Sequence, residues 1–407
     1  MLSSSINKVS RFRWIGESVP AGTKKVALLI PQYNESSNRK FEQRLQYFQF
    51  IKEKYNDILD TIVIDDGSTD DSLGKLKQFS TNTPSSFYVA SVFPNAEKVG
   101  ALYATILSLS HEFIILSDFD TDLHGIEQLI NNLDTLLNNT MMGGYFRMLP
   151  YEGEGPTFRF QQLEYALLRS LYKYHRKEQS IPVMPGAGCC YKRSVLISIY
   201  EKHSGLRSGE DREATLIGLK MGYRTKYISE VTTLTRPPLS FSALIRQRTR
   251  WYLGYIETLN KEHLYYRSQI SSRTTMGIRT ILEMLTVLLI LLLGPVVLVT
   301  GIINPIIAVG ILATIYLSYT AGSLYLILTS PAEIGKMNVK IWTSVLLFPF
   351  MKVSLEYISW IKALLVYRKK KHSYAAPTPA ATDIYIYRQA ARQSHDSVEE
   401  KENFFQV

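Results

Sequence analysis

Between residues 24 and 235 short apolar runs alternate with longer mixed stretches. The runs at 26–30, 61–65, 87–93 and 113–117 each read as a buried strand, and each intervening stretch is long enough for a helix. That rhythm predicts a parallel α/β sheet, with ligands bound just beyond the carboxyl ends of its strands. After Pro237 and Pro238 the pattern changes, and residues 241–253 interleave aliphatic and aromatic side chains with arginines, as a basic interfacial helix does. Residues 284–332 then carry no Asp, Glu, Lys or Arg. At about 1.5 Å per residue they can cross a ~30 Å hydrocarbon core twice, which predicts spans at 280–300 and 305–329 with 301–305 as a tight link. A third segment, 341–367, is apolar but places Lys352, Glu356 and Lys362 on one helical stripe about 120° wide. It can span the bilayer or lie along it. Three spans would put the basic run 368–371 outside and two would keep it inside; the balance tips slightly towards three. The chain thus divides into an extension (1–23), an α/β domain (24–237), an interfacial region (238–275), a membrane region (276–367) and a basic, then mobile tail (368–407).

Composition changes this picture in few places. The 46 Lys and Arg against 36 Asp and Glu leave a net charge of +10. The basic residues crowd 236–273 and 368–371, at the predicted membrane edges, so anionic lipid is the expected partner and nucleic acid is not. The two cysteines, Cys189 and Cys190, are adjacent, which excludes a disulfide-stapled secreted fold and a multi-cysteine zinc site. Residues 1–23 lack the apolar run of a signal peptide, so the α/β domain is expected on the cytoplasmic side of a multi-pass membrane protein. No P-loop and no GxGxxG stands between a strand and a helix, which weakens NTPase and dinucleotide readings.

The candidate chemistry lies after the apolar runs. The first is followed by Pro31-Gln-Tyr-Asn-Glu35 and the second by Asp66-Gly-Ser-Thr-Asp70. Asp66 can hold a polar ligand edge and Tyr33 can stack on a flat ring, although Asp-Gly-Ser-Thr-Asp equally fits a turn with a helix cap. The fourth run leads into Asp118-Phe-Asp120, two carboxylates able to turn towards one hard cation whose shell a diphosphate completes. Glu210 and Asp211 precede a helix-like run, 212–221, where an acid either serves the first turn or takes a proton from an attacking hydroxyl. A helix start is expected to keep Asp211 ionised without raising its pKa. Gln247, Arg250 and Trp251 share one helix face, suited to a departing diphosphate and a sugar face, or to a snorkelling surface at the bilayer.

In this order, Tyr-Asn-Glu, Asp-Asp-Gly-Ser, Asp-x-Asp, Glu-Asp and Gln-x-x-Arg-Trp followed by apolar spans, the set resembles the membrane-bound family-2 glycosyltransferases over residues 24–330. Within that family it looks most like the processive synthases of cellulose, chitin, hyaluronan and poly-N-acetylglucosamine. The resemblance implies a GT-A fold, a nucleotide-diphosphate sugar donor (usually a UDP-sugar), Mg2+ or Mn2+, and inversion at the anomeric carbon. It places Tyr33, Glu35, Asp66, Lys98 and Asp118 against the donor nucleotide, and Asp120 with Asp118 at the metal. Asp211, with Glu210 beside it, would be the base. Gly186 and Gly188 would line the acceptor site, and Gln247, Arg250 and Trp251 would gate diphosphate and acceptor. The expected function is a β-glycosyltransferase extending a polysaccharide at the cytoplasmic face of a bacterial inner membrane. The second reading is a non-processive transferase acting on a lipid acceptor, and the third a degenerate binding or scaffold subunit. The small membrane region means that a polymer conduit would need few helices or an oligomer.

Overall fold

A computed structural model describes residues 11–22, 24–83, 86–329 and 339–373; expectations for the first ten residues and for the tail from 374 onward lie outside the described residues. In chain order the strands are β1 (Arg11–Ile15), β2 (Val26–Gln32), β3 (Leu59–Asp65), β4 (Tyr88–Phe93), β5 (Phe113–Leu116), β6 (Thr121–His124), β7 (Met141–Pro150), β8 (Cys189–Lys192) and β9 (Arg224–Thr235). The first eight helices are α1 (Phe41–Lys54), α2 (Ser72–Asn82), α3 (Glu97–Leu107), α4 (Glu127–Leu137), α5 (Gly155–Leu171), α6 (Lys173–Glu178), α7 (Arg193–Tyr200) and α8 (Glu210–Lys220). Five more follow: α9 (Phe241–Lys261), α10 (His263–Ser271), α11 (Thr275–Ile303), α12 (Pro305–Thr329) and α13 (Val339–Ser373).

The four strands read from the sequence are β2 to β5. Burial on both faces explains their continuous apolar runs: all of β3 and β5, and all of β2 except Pro31, are buried. β2 pairs in parallel with β3 and β5, and β3 with β4. The full sheet, in the order β1-β4-β3-β2-β5-β8-β7-β9-β6, is mixed and not parallel throughout. β1 runs antiparallel to β4, and β8 runs antiparallel to β5 and to β7. β1 escapes a hydropathy reading because it is a half-exposed edge strand with two arginines. β7 escapes it because Gly143 and Gly144 interrupt the pattern. A β-carbon at Gly143 would strike the Cys190 carbonyl, and one at Gly144 the Ile228 side chain, so close strand packing demands both glycines.

The chain forms two compact units. One comprises residues 11–146 and Met184–Val231, the other Arg147–Val183 and 232–373. The first has its core between the sheet and its helices, with Leu28, Ile30, Phe48, Val63, Phe113 and Ile115 at its centre. In the second, Phe160 and Leu163 of α5, Leu244 of α9, Ile327 of α12 and Phe348 and Leu355 of α13 pack together. Among the described residues three helical segments are long and apolar enough to cross a membrane: Thr275–Ile303, Pro305–Thr329 and Ser344–Lys369. Asn304 separates the first two, its Oδ1 accepting from Ile306 N at 3.0 Å, and Pro305 opens the next helix, where its missing N–H costs nothing. The third segment differs: 33% of its most apolar window is buried inside the protein, against 6% and 11% for the others. Its charged stripe also divides, since Lys352 and Glu356 pair with each other while Lys362 is exposed.

Candidate active site

Parallel pairing of β2, β3 and β5 brings their carboxyl ends to one edge of the sheet. Because β8 runs antiparallel to β5, with Cys189 opposite Leu116, the segment Gly186-Ala-Gly188 enters at that same edge. All of these residues, with Glu210 and Asp211 at the start of α8, belong to the first unit.

The loops after β2 and β3 are woven together. Asn34 (φ 57°) accepts from Thr69 N at 2.8 Å and donates its own N–H to Ser68 Oγ at 3.0 Å, while Glu35 N donates to Ser72 Oγ at 2.9 Å. Asp70 accepts from Ser36 Oγ (2.6 Å) and Ser72 N (3.0 Å); its burial would raise it, but these hydrogen bonds prevail and hold it at about 2. It is therefore a loop brace, as the turn reading anticipated. Asp66 is buried and reaches sideways, accepting from Ala96 N at 2.7 Å and Asn95 Nδ2 at 3.0 Å; burial, then Glu97 and Asp65, push it up to about 7 despite those bonds. Gly67 between them has φ +67° and lies against the Asn95 backbone, where no side chain fits. Tyr33 is 45% exposed, free to stack.

Beyond β5, Phe119 is buried between Phe41 (centroids 5.3 Å apart) and Phe48 (5.4 Å) of α1, which anchors the turn carrying Asp118 and Asp120. Arg44 of the same helix donates to Phe119 O (2.7 Å) and Thr121 O (2.6 Å) and pairs with Asp122. Sequence reading missed Arg44, yet the signal is there: Phe41, Arg44, Leu45 and Phe48 form one helical stripe, so the arginine sits in an apolar row. Asp120 is open to solvent on one side. Partial desolvation of its carboxyl, then the Asp118 charge, push it up to about 6, with Arg44 opposing and Glu35 adding to the rise.

Lys98 is set among three carboxylates: its Nζ lies 2.8 Å from Asp118 and 4.0 Å from Glu210, and Asp211 also acts on it. Burial would lower Lys98, but the three charges hold it well above the ordinary lysine value. Asp211 accepts from Gly186 N at 2.8 Å, and a β-carbon at Gly186 would meet its carboxylate and Lys98 Nζ, so a larger residue there must push those side chains aside. Thr215 fixes the arrangement from behind, donating to Asp211 O (2.7 Å) and accepting from Met184 N (2.8 Å). Lys98, Met184, Gly186, Tyr191, Glu210 and Asp211 line one recess. Gly188 N donates to Pro185 O (3.1 Å), which turns the segment into β8. Sequence predicted that the helix start would keep the Asp211 pKa from rising, and the structure overturns this: the pKa is raised. Burial raises it, Lys98 and the Gly186 N–H oppose that rise, and Asp118 adds to it; Glu210 rises to about 7, chiefly by burial and then by Asp211. Desolvation is the largest cause for both acids.

Gln247, Arg250 and Trp251 lie on α9, in the second unit. Arg250 and Trp251 are exposed and Gln247 is half-buried. The residue between them, Arg248, is buried and pairs with Glu164 of α5.

A divalent cation suits the first unit chemically: Asp118 and Asp120 are neighbouring oxygen donors in an acid-rich place, with Glu35 close by. Among the described residues no group of three His, Cys, Asp or Glu side chains is arranged to hold a metal ion by itself, so the protein would supply a minority of the shell, as with Mg2+ completed by phosphate and water.

Residues 28–200 match the family described as Glycosyl transferase family 2, and residues 142–366 match Glycosyl transferase family group 2. The chain is 28% identical over 243 residues to an N-acetylglucosaminyltransferase of Mesorhizobium japonicum (56% of this chain, 54% of the relative). It is 27% identical over 241 residues to one of Rhizobium meliloti (56% and 54%). The matches thus span about half the length of these curated relatives. Among solved structures, a mannosyltransferase from Pyrobaculum calidifontis, in complex with GDP-Man and Mn2+, superposes over 84% of this chain and 87% of its own at a TM-score of 0.53 and 16% identity. That likeness is one of fold, the GT-A arrangement that the motif order implied. With the second match covering more than half of its length, the chain belongs to glycosyl transferase family group 2.

Proposed function

We propose that the protein is an inverting hexosyltransferase that moves N-acetylglucosamine or a related sugar from a UDP-sugar to a growing glycan, beside a membrane held by its apolar helices. The observation that carries this reading is the placement of Asp211: braced by Gly186 N–H and set with Glu210 around Lys98, which also holds Asp118. Tyr33, Glu35, Asp66, Lys98 and Asp118 receive the donor nucleotide, and Asp118 and Asp120 would hold Mg2+ or Mn2+. When bound, the cation neutralises charge on the leaving diphosphate.

Asp211 takes the proton of the acceptor hydroxyl as that oxygen bonds to the anomeric carbon, and the bond to the diphosphate oxygen breaks on the opposite face. One displacement inverts the configuration. A raised carboxyl suits this task, because its proton affinity lies closer to working pH than that of an exposed aspartate. Gly186 and Gly188 leave room for the acceptor, and Gln247, Arg250 and Trp251 carry donors and an aromatic face of the kind that suits a diphosphate and a sugar.

The reading is supported by the names of the rhizobial relatives and by the family match. It is tested by UDP release from a panel of UDP-sugars with Mg2+ or Mn2+ in nanodiscs, with the labelled product sized on a gel. The expected result is one preferred donor, a long product and loss of turnover in Asp211→Asn. A short product that partitions into organic solvent would replace the glycan acceptor with a lipid. Donor binding without turnover by any donor would overturn the catalytic reading in favour of a binding subunit.

A further inference from the structure

The second unit contains a buried ionic cluster that the reaction scheme does not use. Arg248 is 2% exposed; its Nη2 pairs with Glu164 of α5, and the other Glu164 oxygen accepts from Lys352 Nζ of α13 at 2.8 Å. Lys352 also pairs with Glu356 at 2.7 Å. Two cations and two anions therefore close on each other across three helices, which is how buried charges avoid their desolvation cost. The Arg248 guanidinium makes two further contacts. Its carbon lies 3.8 Å from the Trp251 ring centroid, and Nη1 donates to Gln247 Oε1 at 3.1 Å. A second attachment runs alongside, since Tyr252 stacks on Trp360 of α13 with centroids 4.3 Å apart and planes 4° apart.

We propose that Arg248 is a positioning residue: anchored through Glu164 on Lys352 of the third apolar helix, it sets the orientation of Trp251 and Gln247. The inference rests on the reading of Gln247, Arg250 and Trp251 as the acceptor and diphosphate gate. An exposed indole on a helix has several rotamers open to it. A guanidinium under its face, fixed at its far side by a carboxylate, selects one through cation–π attraction in a desolvated place. The geometry gives α13 a task besides crossing or lining a bilayer, because its Lys352 is the outermost link of the chain that ends at Trp251. Lysine could not replace Arg248 in full, since one planar group must meet a ring on its face and a carboxylate and an amide on its edge.

The test uses the full chain in nanodiscs with 5-fluorotryptophan at its four tryptophans. The Trp251 line is assigned by Trp251→Phe, and the Trp14 line, from the other unit, reports on folding. Lys352→Met and Glu164→Gln touch no atom of the indole, yet each is expected to move or broaden the Trp251 line while leaving that of Trp14 in place. If Lys352→Met fails to fold, Lys352→Met/Glu356→Gln keeps the charge balance and carries the same expectation. A Trp251 line unchanged in any folded variant of the three overturns the proposal. UDP release from UDP-GlcNAc separates this from the gate reading. Trp251→Ala and Glu164→Gln are both expected to slow it about tenfold or more. Full activity in Trp251→Ala would sink the gate reading, while the fluorine lines decide the positioning independently.

Discussion

Two groups of acids, one around Lys98 in the first unit and one at Glu164 in the second, have electrostatics that run in opposite directions. Around Lys98 the carboxylates outnumber the lysine, and Glu210 is raised to about 7 while Asp211 is raised as well. Around Glu164 the charges balance. Burial would raise that carboxyl, but Arg248 and Lys352 prevail and hold it at about 2. An acid cluster short of cations keeps a standing demand for positive charge or protons, which substrate, metal and catalysis can meet. A neutral cluster has no such demand and works as a joint. Burial and charged side chains alone do not distinguish a reactive place from a structural one; the local sum of charge does.

The largest test of the contrast removes one acid from each group. Asp211→Asn is expected to cut turnover by about 10²–10⁴-fold with a thermal midpoint no lower than the parent's, because it deletes a carboxyl that burial disfavours. Glu164→Leu is expected to lower the midpoint by the equivalent of about 3–5 kcal/mol, because it leaves buried Arg248 without its carboxylate and Lys352 with Glu356 alone. A midpoint that falls equally in both variants would break the comparison. A smaller effect is expected at Arg44, which braces the turn of Asp118 and Asp120 through carbonyls. Arg44→Lys keeps the charge but loses the fork, and should raise the Mn2+ concentration needed for UDP binding by about tenfold, read by calorimetry. Unchanged Mn2+ dependence would remove Arg44 from the site.

The smallest expected effect is on pH. Glu210, with a folded value of about 7 against an ordinary 4.5, favours the folded state at low pH; this contribution is complete below 4.5 and gone once pH has risen through 7. Glu164, depressed from 4.5 to about 2, contributes above 4.5 and loses its effect as pH falls through 2. The ligand-free midpoint should therefore fall as pH rises from 4.5 to about 7, and Glu210→Gln should flatten that fall. A slope identical to the parent's would mean that Glu210 titrates as an exposed acid.

The strands β2 to β5, the order of the acidic motifs and the long apolar helices were legible because each is written in consecutive residues: an apolar run, a turn former, a charge-free stretch. β1 and β7 were not, since a half-exposed edge strand and a strand interrupted by glycines break the pattern on which such reading depends, and β8 was not, being only the four residues Cys189–Lys192. Asp66 and Asp70, four residues apart in one motif, could not be told apart by sequence. One is turned to Asn95 and Ala96, the other to Ser72 at the start of the next helix and to Ser36, and all of these partners but Ser72 are supplied by other loops.

The stripe of Lys352 and Glu356 was visible as a periodicity, yet its meaning was not, because the carboxylate that answers Lys352 lies 188 residues away at Glu164. The same holds for the ionisation of Asp211. Its place at a helix start could be read in advance, but the burial that raises it comes from side chains that only folding brings around it. Sequence alone thus determined which residue types stand at the ends of which elements, since local sterics and hydrophobic period act over a few neighbours. The tertiary structure decided which charges are answered and which are left in surplus, because Coulomb interaction and desolvation depend on distance in space and not along the chain.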